Sequence, residues 1–229
     1  MQGRPAPRAF RPLRALGWAL LGLAALAFVL VLLFAVVAPP VTPTMLAERS
    51  RLGGIRHEWV PIEDVAPVMA RAVVAAEDAN YCLHWGFDMA AIRLAIAEGG
   101  QRGASTLSQQ TVKNVFLWQG RSWPRKALEA LLTPLAESVW SKRRILEVYL
   151  NVAEMGPGVF GVEAAARHWF GVGAGDLTPA QAARIAAILP APRDRSPAEP
   201  SGFVRQRAAA IMDGAETIRR DGRAACFQG

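Results

Sequence analysis

The most conspicuous pattern in the chain is one uninterrupted apolar stretch near its N-terminus. Residues 15–38 contain no charged side chain, and Leu, Ala, Val and Phe dominate them. A helix of about 20 such residues is long enough to cross the hydrocarbon core of a bilayer. The apolar core of a cleaved signal peptide is shorter, about 7 to 15 residues. The pattern therefore predicts a single transmembrane helix over residues 15–38.

Positive charge lies on only one side of this stretch. Basic residues crowd its N-terminal flank, whereas no Lys or Arg occurs from Ala15 to Glu48. Because cytoplasmic flanks of membrane helices carry the excess of basic residues, the N-terminus is predicted to lie in the cytoplasm. We expect the cytoplasmic (inner) membrane, with the rest of the chain periplasmic. The flanking residues are Arg4, Arg8, Arg11 and Arg14.

The remainder of the chain spaces its apolar residues as helices do, and alternation typical of strands is scarce. A helix is predicted after Asp64, a candidate N-cap, with Glu77 at its end. A second helix is predicted after Asp88, ending at residues 99–100. A third is predicted after Ser105.

Further helices are predicted towards the C-terminus. Residues 123–151 carry a long apolar stripe, in which Thr133–Pro134 should force a kink or a restart, giving two helices in series. Residues 178–181 have the pattern of a capping box with proline at the first helical position, leading a helix that stops before residue 190. An extended segment, 190–200, should precede a final Arg-rich helix, and the tail after Arg220 is expected to be disordered.

These elements predict a membrane anchor followed by one mainly α-helical domain. About 190 residues follow the apolar stretch, which is the size of one ordinary domain with its own core. The predicted divisions are a basic cytoplasmic N-terminus (1–14), the transmembrane helix (15–38), a linker (39–58), the catalytic domain (59–210) and a C-terminal helix end and tail (211–229).

Charge and cysteine content narrow the chemistry only a little. The net charge of +7 would attract nucleic acid, an anionic membrane or a phosphorylated substrate alike. Cys82 and Cys226 lie far apart and belong to no C-x-x-C or Cys/His pattern, so no thiolate metal site or redox motif is predicted. An oxidising compartment would permit a disulfide between them, but we expect two unpaired cysteines.

Motifs of nucleotide-dependent enzymes are weak or missing. Gly156, Gly158 and Gly161 match a G-x-G-x-x-G spacing, but they follow a predicted helix and Pro157 occupies the turn. We therefore predict an ordinary loop between helices. No Asp-x-Asp pair is present to hold a metal for a sugar nucleotide. We expect no nucleotide cofactor and no nucleic-acid partner.

Four blocks of residues carry the clearest functional signal. The first is E-D-A-N-Y-C-L-H-W-G-F from Glu77, and the second is G-A-S-T-L-S-Q-Q from Gly103. The third is R-K-A-L-E from Arg125, and the fourth is K-R-R-I-L-E-V-Y-L-N from Lys142. In this order they resemble four motifs of the bacterial peptidoglycan glycosyltransferases: E-D-x-x-F-x-x-H-x-G-F, G-x-S-T-x-x-Q-Q, R-K-x-x-E and K-x-x-I-L-E-x-Y-L-N.

The resemblance spans roughly residues 60–207, with Tyr81 in place of the usual Phe. It implies a lysozyme-like, mostly helical glycosyltransferase domain behind the single-pass anchor. It also implies that lipid II and a lipid-linked growing glycan are joined at the membrane into β-1,4-linked strands for the cell wall. The anomeric carbon is inverted and undecaprenyl pyrophosphate leaves. Because no transpeptidase block follows, we expect other cell-wall proteins, such as transpeptidases, to cross-link the peptides.

The resemblance also assigns roles to charged residues. Glu77 matches the catalytic glutamate, the general base that takes the proton of the attacking 4-hydroxyl. Glu129 matches a second essential glutamate, which would orient pyrophosphate contacts or a pyrophosphate-bound divalent cation (Mg²⁺ or Mn²⁺). Its alternative is an ordinary i, i+4 partner of Arg125, and no direct metal motif is present. Four cations match positions that line the pyrophosphate site, although they also suit a solvated basic face: Lys113, Arg121, Arg125 and Lys126.

The neutral residues of these blocks allow two interpretations. His84 is expected to tie the loop after Glu77 to neighbouring backbone, since the reaction already has its base. Glu77 is expected to face a cleft that also holds Lys113 and Arg125. Four other side chains would either bind sugar hydroxyls or cap and pack their own helix: Ser105, Thr106, Gln109 and Gln110.

Apolar residues are interspersed among these cations. Such a set would be unusual on an isolated water-exposed loop but natural beside lipid headgroups. Packing into the core is the alternative for each of the aromatic residues. The set consists of Phe116, Leu117, Trp118 and Trp123.

Two other functions compete with synthesis. A lysozyme-like hydrolase or lytic transglycosylase would also use two glutamates, but cleaving a sugar ether requires a protonated acid and has no use for four clustered cations. An inactive membrane-anchored scaffold is the other alternative. The presence of Glu77, Glu129 and the cations counts against it.

Overall fold

The computed structural model describes residues 10–99, 103–120 and 122–228. The chain forms two units, one up to Val37 and one from Ala38 onward. The first unit contains helix α1, Phe10–Phe34. Within it, the 21 residues Arg14–Phe34 are long and apolar enough to cross a membrane. The predicted membrane helix is thus confirmed as a candidate span, although it ends at Phe34 and not at residue 38.

The second unit is mainly α-helical, as predicted. Its helices are α2 (Pro43–Leu52), α3 (Pro67–Glu77), α4 (Met89–Ala97), α5 (Leu107–Phe116), α6 (Trp123–Val139), α7 (Lys142–Val152), α8 (Val162–Phe170), α9 (Pro179–Ile188), α10 (Gly202–Arg220) and α11 (Ala225–Gln228). Short 3₁₀ turns cover Ile62–Asp64, Tyr81–Leu83 and Ala174–Asp176. A small sheet contains β1 (Arg56–His57), β2 (Glu154–Gly156) and β3 (Val159–Phe160), in which β3 pairs with β1 in parallel and with β2 antiparallel.

Two groups of helices build the core of this unit. Helix α3 packs against α9 and α10, and α5 packs against α6 and α7. Met69 of α3 and Ile185 of α9 are fully buried, as are Leu146 and Leu150 of α7. The apolar stripes recognised in the sequence are therefore the faces that these helices turn towards each other.

The predicted helix starts are confirmed except for that of α3. Asp88 caps α4 by accepting a hydrogen bond from the Ala91 amide at 2.9 Å. Thr178 and Gln181 form the predicted capping box of α9. Asp64, in contrast, lies in a 3₁₀ turn, and α3 begins at Pro67. Proline suits the first helical position because its fixed φ fits the helix and its missing N–H would be unpaired there anyway.

The expectation that the helix restarts at Pro134 is wrong. Helix α6 continues through Pro134 to Val139. The break comes instead at Trp140, whose backbone is extended, and Ser141 then caps α7 by accepting from the Arg144 amide at 3.1 Å. Two helices in series do occur, but a serine cap and not a proline sets the boundary between them.

The glycines at 156, 158 and 161 lie in the connection between α7 and α8, as predicted, but this connection contains β2 and β3. Gly161 has φ of +83°, and a Cβ there would lie 2.7 Å from the Asn151 carbonyl oxygen. A Cβ at Gly156 would lie 2.9 Å from the Trp169 ring. Backbone conformation and close packing, not phosphate binding, thus account for glycine at these two positions.

The two cysteines are paired, so the expectation of unpaired thiols is wrong. Cys82 and Cys226 form a disulfide with Cα atoms 5.7 Å apart, across 144 residues of sequence. The tail after Arg220 is not disordered either. It ends in α11, and the Phe227 side chain is only 1% exposed. A contact between residues so far apart leaves no local spacing signal in the sequence.

Two predicted segments, 39–58 and 190–200, differ from the structure in their local conformation. The linker 39–58 contains helix α2, which Thr42 caps by accepting from the Met45 amide at 3.3 Å. Helix α10 runs across residue 210, in line with the helix end that was predicted after that position. Residues 190–200 form turns and bends where an extended segment was predicted.

Candidate active site

Glu77 occupies the last position of α3, as predicted, and its side chain is 12% exposed. It lines a cavity of about 270 Å³ together with Asn80, Asp88 and Ser105. Gln110 of α5 donates from Nε2 to Glu77 Oε2 at 3.0 Å. The other oxygen, Oε1, is buried and has no hydrogen-bond partner among the described residues. One oxygen of Glu77 is therefore oriented by the protein, and the other keeps its capacity to accept a proton.

The environment of Glu77 makes it a stronger base than an ordinary glutamate. Burial raises the pKa of its carboxyl group, while Gln110, Arg207 and Lys113 oppose the rise. The nearest of these cations is Arg207 on α10, whose Nη2 lies 3.6 Å from Glu77 Oε1. The four sequence blocks do not include Arg207, so the sequence analysis gave it no role.

Asp78 is a structural centre of the site that the sequence analysis missed. Its Oδ1 pairs with His84 Nε2 at 2.8 Å, and its Oδ2 accepts from the Leu107 amide at 2.9 Å. His84 thus ties down the loop after Glu77, as expected, but through a carboxylate and not through backbone. The position of Asp78 directly after Glu77 in the first block was the available signal.

The polar residues of the second block divide between capping and the site. Thr106 and Gln109 form the capping box of α5 and are 2% and 4% exposed. Ser105 accepts from Lys126 Nζ at 3.4 Å. Gln110 reaches Glu77. The capping interpretation therefore holds for Thr106 and Gln109, whereas Gln110 and Ser105 face site residues.

Lys113 follows Gln110 by one turn of α5 and lies within electrostatic reach of both glutamates. Burial lowers the pKa of its ammonium group, the charges of Glu129 and Glu77 oppose that change, and Arg125 adds to it. Among the described residues, none forms a hydrogen bond or ion pair with this ammonium group. A partly buried cation with unused donors is well suited to bind an anionic ligand.

Glu129 holds two of the other predicted cations. Its Oε2 pairs with Arg125 Nη1 at 2.7 Å, and its Oε1 pairs with Lys126 Nζ. Glu129 is 3% exposed, and Gln109 lies 3.5 Å from its Oε1. The i, i+4 pair that the sequence left as an alternative is therefore present. Arg121, the fourth predicted cation, lies outside the described residues.

The predicted residues do not all line one cavity. A cavity of about 360 Å³ is lined by Gln110, Lys113 and Arg193, whereas one of about 300 Å³ is lined by Arg125 and Lys126. None of the three cavities holds Glu77, Lys113 and Arg125 together, contrary to the expectation of one cleft, although Lys113 lies within electrostatic reach of Glu77 and of Arg125. Gln110 connects Glu77 to the cavity of Lys113.

Arg193 is a second residue that the sequence analysis missed. Its Nη2 lies 2.8 Å from Glu154 and 2.8 Å from Glu48, so it joins β2 to helix α2 at the wall of the Lys113 cavity. It lies in the turn-rich segment 190–200, which was predicted to be an extended connection before the final helix. No periodic pattern or motif pointed to it.

The apolar set near the cations is split between core and surface. Leu117 is buried, and the Phe116 ring packs against Trp140 with centroids 6.2 Å apart. Trp118 and Trp123 are 49% and 89% exposed. Only the two tryptophans therefore remain candidates for contact with lipid.

The residues around Glu129 do not fit a metal held by protein ligands. Both of its oxygens already face cations. Within the described ranges, no group of three or more His, Cys, Asp or Glu side chains could hold a metal ion. A divalent ion would need several oxygen ligands and would be repelled by Arg125 and Lys126.

Comparisons with known proteins identify the family of the chain. A family model described as Transglycosylase matches residues 45–216. A protein from Jannaschia sp. (strain CCS1), named biosynthetic peptidoglycan transglycosylase, is 64% identical over 206 residues, covering 90% of this chain and 86% of its own length. Proteins of the same name from Caulobacter vibrioides and Rhodospirillum centenum are each 48% identical, covering 86% and 95% of this chain and 88% and 96% of their own lengths. The chain therefore belongs to the transglycosylase family.

Proposed function

We propose that this chain is a membrane-anchored peptidoglycan glycosyltransferase that polymerises lipid II into β-1,4-linked glycan and releases undecaprenyl pyrophosphate. The observation that carries the proposal is the arrangement of Glu77, Gln110 and Lys113. A largely buried carboxylate lies beside a helix face that also presents a partly buried ammonium group. Family membership and the names of the relatives support the same substrate class.

Glu77 acts as the general base. The 4-hydroxyl of the incoming sugar is a poor nucleophile, so its proton must be taken as it attacks the anomeric carbon of the growing chain. Burial raises the pKa of Glu77 and so makes its carboxylate a better proton acceptor, while Arg207 and Lys113 favour the ionised form. Attack from the face opposite the pyrophosphate inverts the anomeric carbon.

The cations stabilise the leaving group. Pyrophosphate departs as an anion and needs fixed positive charge more than it needs a proton. Lys113 supplies an ammonium group with unused donors, and Arg125 supplies a guanidinium group that can bind phosphate oxygens in a fork. Arg121 and Lys126 belong to the same proposed site, because they match positions that line the pyrophosphate site in the family.

Glu129 is a positioning residue in this scheme. It binds Arg125 and Lys126 and so holds two like charges in place near Lys113, where they would otherwise repel each other. Any Mg²⁺ or Mn²⁺ ion would be bound through pyrophosphate oxygens, because the protein groups around Glu129 do not fit it. No step of the mechanism depends on such an ion, and no nucleotide cofactor is involved.

The same geometry disfavours the hydrolase alternative. A glycosidase needs a second carboxylate that can act as nucleophile or activate water. Glu129, the other glutamate of the blocks, is buried and paired with two cations. An inactive scaffold would not require an oriented, buried carboxylate such as Glu77.

The proposed location is the cytoplasmic membrane, with the N-terminus inside and the catalytic unit on the periplasmic side. The candidate membrane helix and its basic N-terminal flank support this topology. The Cys82–Cys226 disulfide supports it independently, since disulfides persist in oxidising compartments. Cross-linking of the peptides by separate transpeptidases is part of the same proposal.

The full-length protein in detergent or vesicles, incubated with labelled lipid II, tests this function. We expect polymer that lysozyme digests, together with released undecaprenyl pyrophosphate. A parallel incubation with preformed glycan strands tests the hydrolase alternative and should leave them intact. Shortened strands would favour that alternative, and no reaction with either substrate would favour the scaffold.

A further inference from the structure

The C-terminal residues 221–228 are placed against the loop that follows Glu77, and we call them the C-terminal strap. The strap lies beyond residue 216, where the match to the family model ends. A turn leads into α11, and the Phe227 side chain is fully buried. A segment that buries an aromatic ring is part of the packed domain.

Two contacts tie the strap to the turn Tyr81–Leu83. The first is the disulfide between Cys82 and Cys226. The second is the packing of the Phe227 and Tyr81 rings, whose centroids lie 6.1 Å apart. Tyr81 also donates its hydroxyl to the Lys142 carbonyl at 2.7 Å. The turn is therefore held between the strap and the start of α7.

Other residues of the strap reach both ends of α3. Arg223 donates from Nη1 to the Ala79 carbonyl at 3.1 Å, two residues beyond Glu77. Gln228 donates from Nε2 to the carbonyl of Pro67, the first residue of α3, at 2.6 Å. The strap thus contacts the helix that presents Glu77 at its first residue and just beyond its last.

The loop held by the strap shapes the surroundings of Glu77. Residues 78–80 line the same cavity as Glu77. Asp78 binds both His84 of the loop and the Leu107 amide, and so connects the loop to α5. Within residues 78–84, regular structure is limited to the single 3₁₀ turn. Such short turns are weak by themselves, so long-range contacts must fix this loop.

We propose that the strap is a positioning element for the general base. The disulfide and Phe227 hold the turn after Glu77 in place, so that the carboxyl group keeps its orientation and its shielding from water. The inference rests on the proposed function, from which it takes the role of Glu77. Cys82, Cys226 and Phe227 act through the loop and do not touch the reacting groups. Full activity then requires the oxidising side of the membrane, where the disulfide can persist.

Loosening the turn should change Glu77 in one direction. Burial is the largest influence on its pKa and raises it. Its charged and titratable neighbours are Asp78 beside it, Lys113 on α5, Tyr149 on α7 and Arg207 on α10. The last three lie on helices of the core and stay in place when the turn loosens. Entry of water therefore lowers the pKa of Glu77. The acidic limb of the pH–rate profile, where the rate falls because Glu77 becomes protonated, then moves to lower pH.

Reduction of the full-length protein tests the proposal, because Cys82 and Cys226 are its only cysteines. A phosphine that takes up oxygen from water converts the disulfide to two thiols. We expect kcat for lipid II to fall about ten-fold, KM to stay within about two-fold, and the acidic limb to move to lower pH. An inactive unfolded fraction would lower the apparent kcat, but it could not move the limb.

Two variants complete the test. Cys82→Ser combined with Cys226→Ser should behave like the reduced wild type and should not respond to the phosphine. Phe227→Ala, which keeps the disulfide, should shift the acidic limb in the same direction. An unchanged kcat and acidic limb in the reduced wild type and in the double variant would overturn the proposal.

Failure of the strap and failure of the proposed function are distinguishable. If the oxidised wild type makes no polymer, the proposed function fails. Amide hydrogen exchange of residues 79–84 still tests the strap, since it needs no substrate. We expect exchange there to speed up by about ten-fold or more on reduction, with the core helix α9 unchanged. Equal amide exchange rates of residues 79–84 in the oxidised and reduced protein would overturn the proposed role of the strap.

Discussion

Gln110 donates from Nε2 to Oε2 of Glu77 over 3.0 Å, and this bond joins the end of α3 to the exposed edge of α5. The Gln110 Oε1 atom in turn accepts from the Tyr149 hydroxyl at 3.4 Å. A hydrogen bond from α7 therefore holds the Gln110 amide group that orients the Glu77 carboxylate. Because Lys113 follows one turn later on α5, the same helix orients the base and supplies a cation for the leaving group.

Replacing Gln110 by Ala should slow polymerisation and move its pH dependence. A hydrogen bond to a charged group contributes about 1.5–3 kcal/mol. Its loss corresponds to a fall of about 10- to 100-fold in kcat. Since this bond lowers the pKa of Glu77, its loss raises that pKa, and the acidic limb moves to higher pH. Rates from about pH 5 to 9 check this, with the exposed Gln206→Ala as control. An acidic limb that stays in place would contradict the orientation role.

Replacing Lys113 by Arg should change the alkaline side of the pH profile. Burial lowers the pKa of Lys113, so its ammonium group loses its proton at a lower pH than an exposed lysine does. A guanidinium group stays charged throughout this range, so the alkaline limb should disappear in Lys113→Arg. Lys113→Met should lower kcat/KM by about 100-fold or more at pH values below the alkaline limb, where the wild-type ammonium group is charged. An unchanged alkaline limb in Lys113→Arg would show that another group sets it.

Replacing Glu129 by Gln should reduce both stability and activity. Removing one partner from a buried ion pair costs about 3–5 kcal/mol, and the partial exposure of Lys126 places the expected loss at the lower end. Polymerisation should fall because Arg125 and Lys126 are no longer held together. Denaturant unfolding and lipid II turnover measure the two effects. The control is Glu216→Gln, which breaks only exposed pairs with Arg219 and Arg220 and should leave the stability close to that of the wild type.

Replacing Glu77 by Gln should stabilise the folded protein at neutral pH although it abolishes activity. The pKa of Glu77 is raised by burial, so folding favours its protonated form. The stability that the protonated carboxyl group contributes is fully present below the unfolded-state pKa and is lost as the pH rises through the folded-state pKa. A neutral amide avoids this loss. Unfolding free energies at about pH 7 should therefore exceed those of the wild type, and the difference should vanish near pH 3.

Local patterns predicted much of the fold. The caps Asp88 and Thr178 were visible because an N-cap needs a short polar side chain directly before a helical stripe. Pro134 misled the prediction, since the stripe continues through it and a serine cap seven residues later sets the boundary. The disulfide was not predictable, because a pair separated by 144 residues is brought together only by the complete fold.

The candidate site was predictable where the sequence blocks assign residues and unpredictable where contacts are long-range. Glu77 was placed from the first block, and Lys113 from the family position that it matches. Asp78, Arg193 and Arg207 were missed because their partners lie on other elements, as in the pairing of Arg193 with both Glu48 and Glu154. Whether Gln109 caps its helix or faces the site could not be decided from the sequence, since both uses require the same amide group.

The most direct test of the account is the initial rate of lipid II polymerisation by the wild type, Glu77→Gln and Glu63→Gln, measured with equal amounts of folded protein. Glu63 lies before the first turn of α3, and its side chain is 65% exposed, so this variant should keep the wild-type rate. Glu77→Gln should lose a factor of about 1,000 or more, as expected when a general base is removed. A Glu77→Gln rate within about ten-fold of the wild type would contradict the central claim.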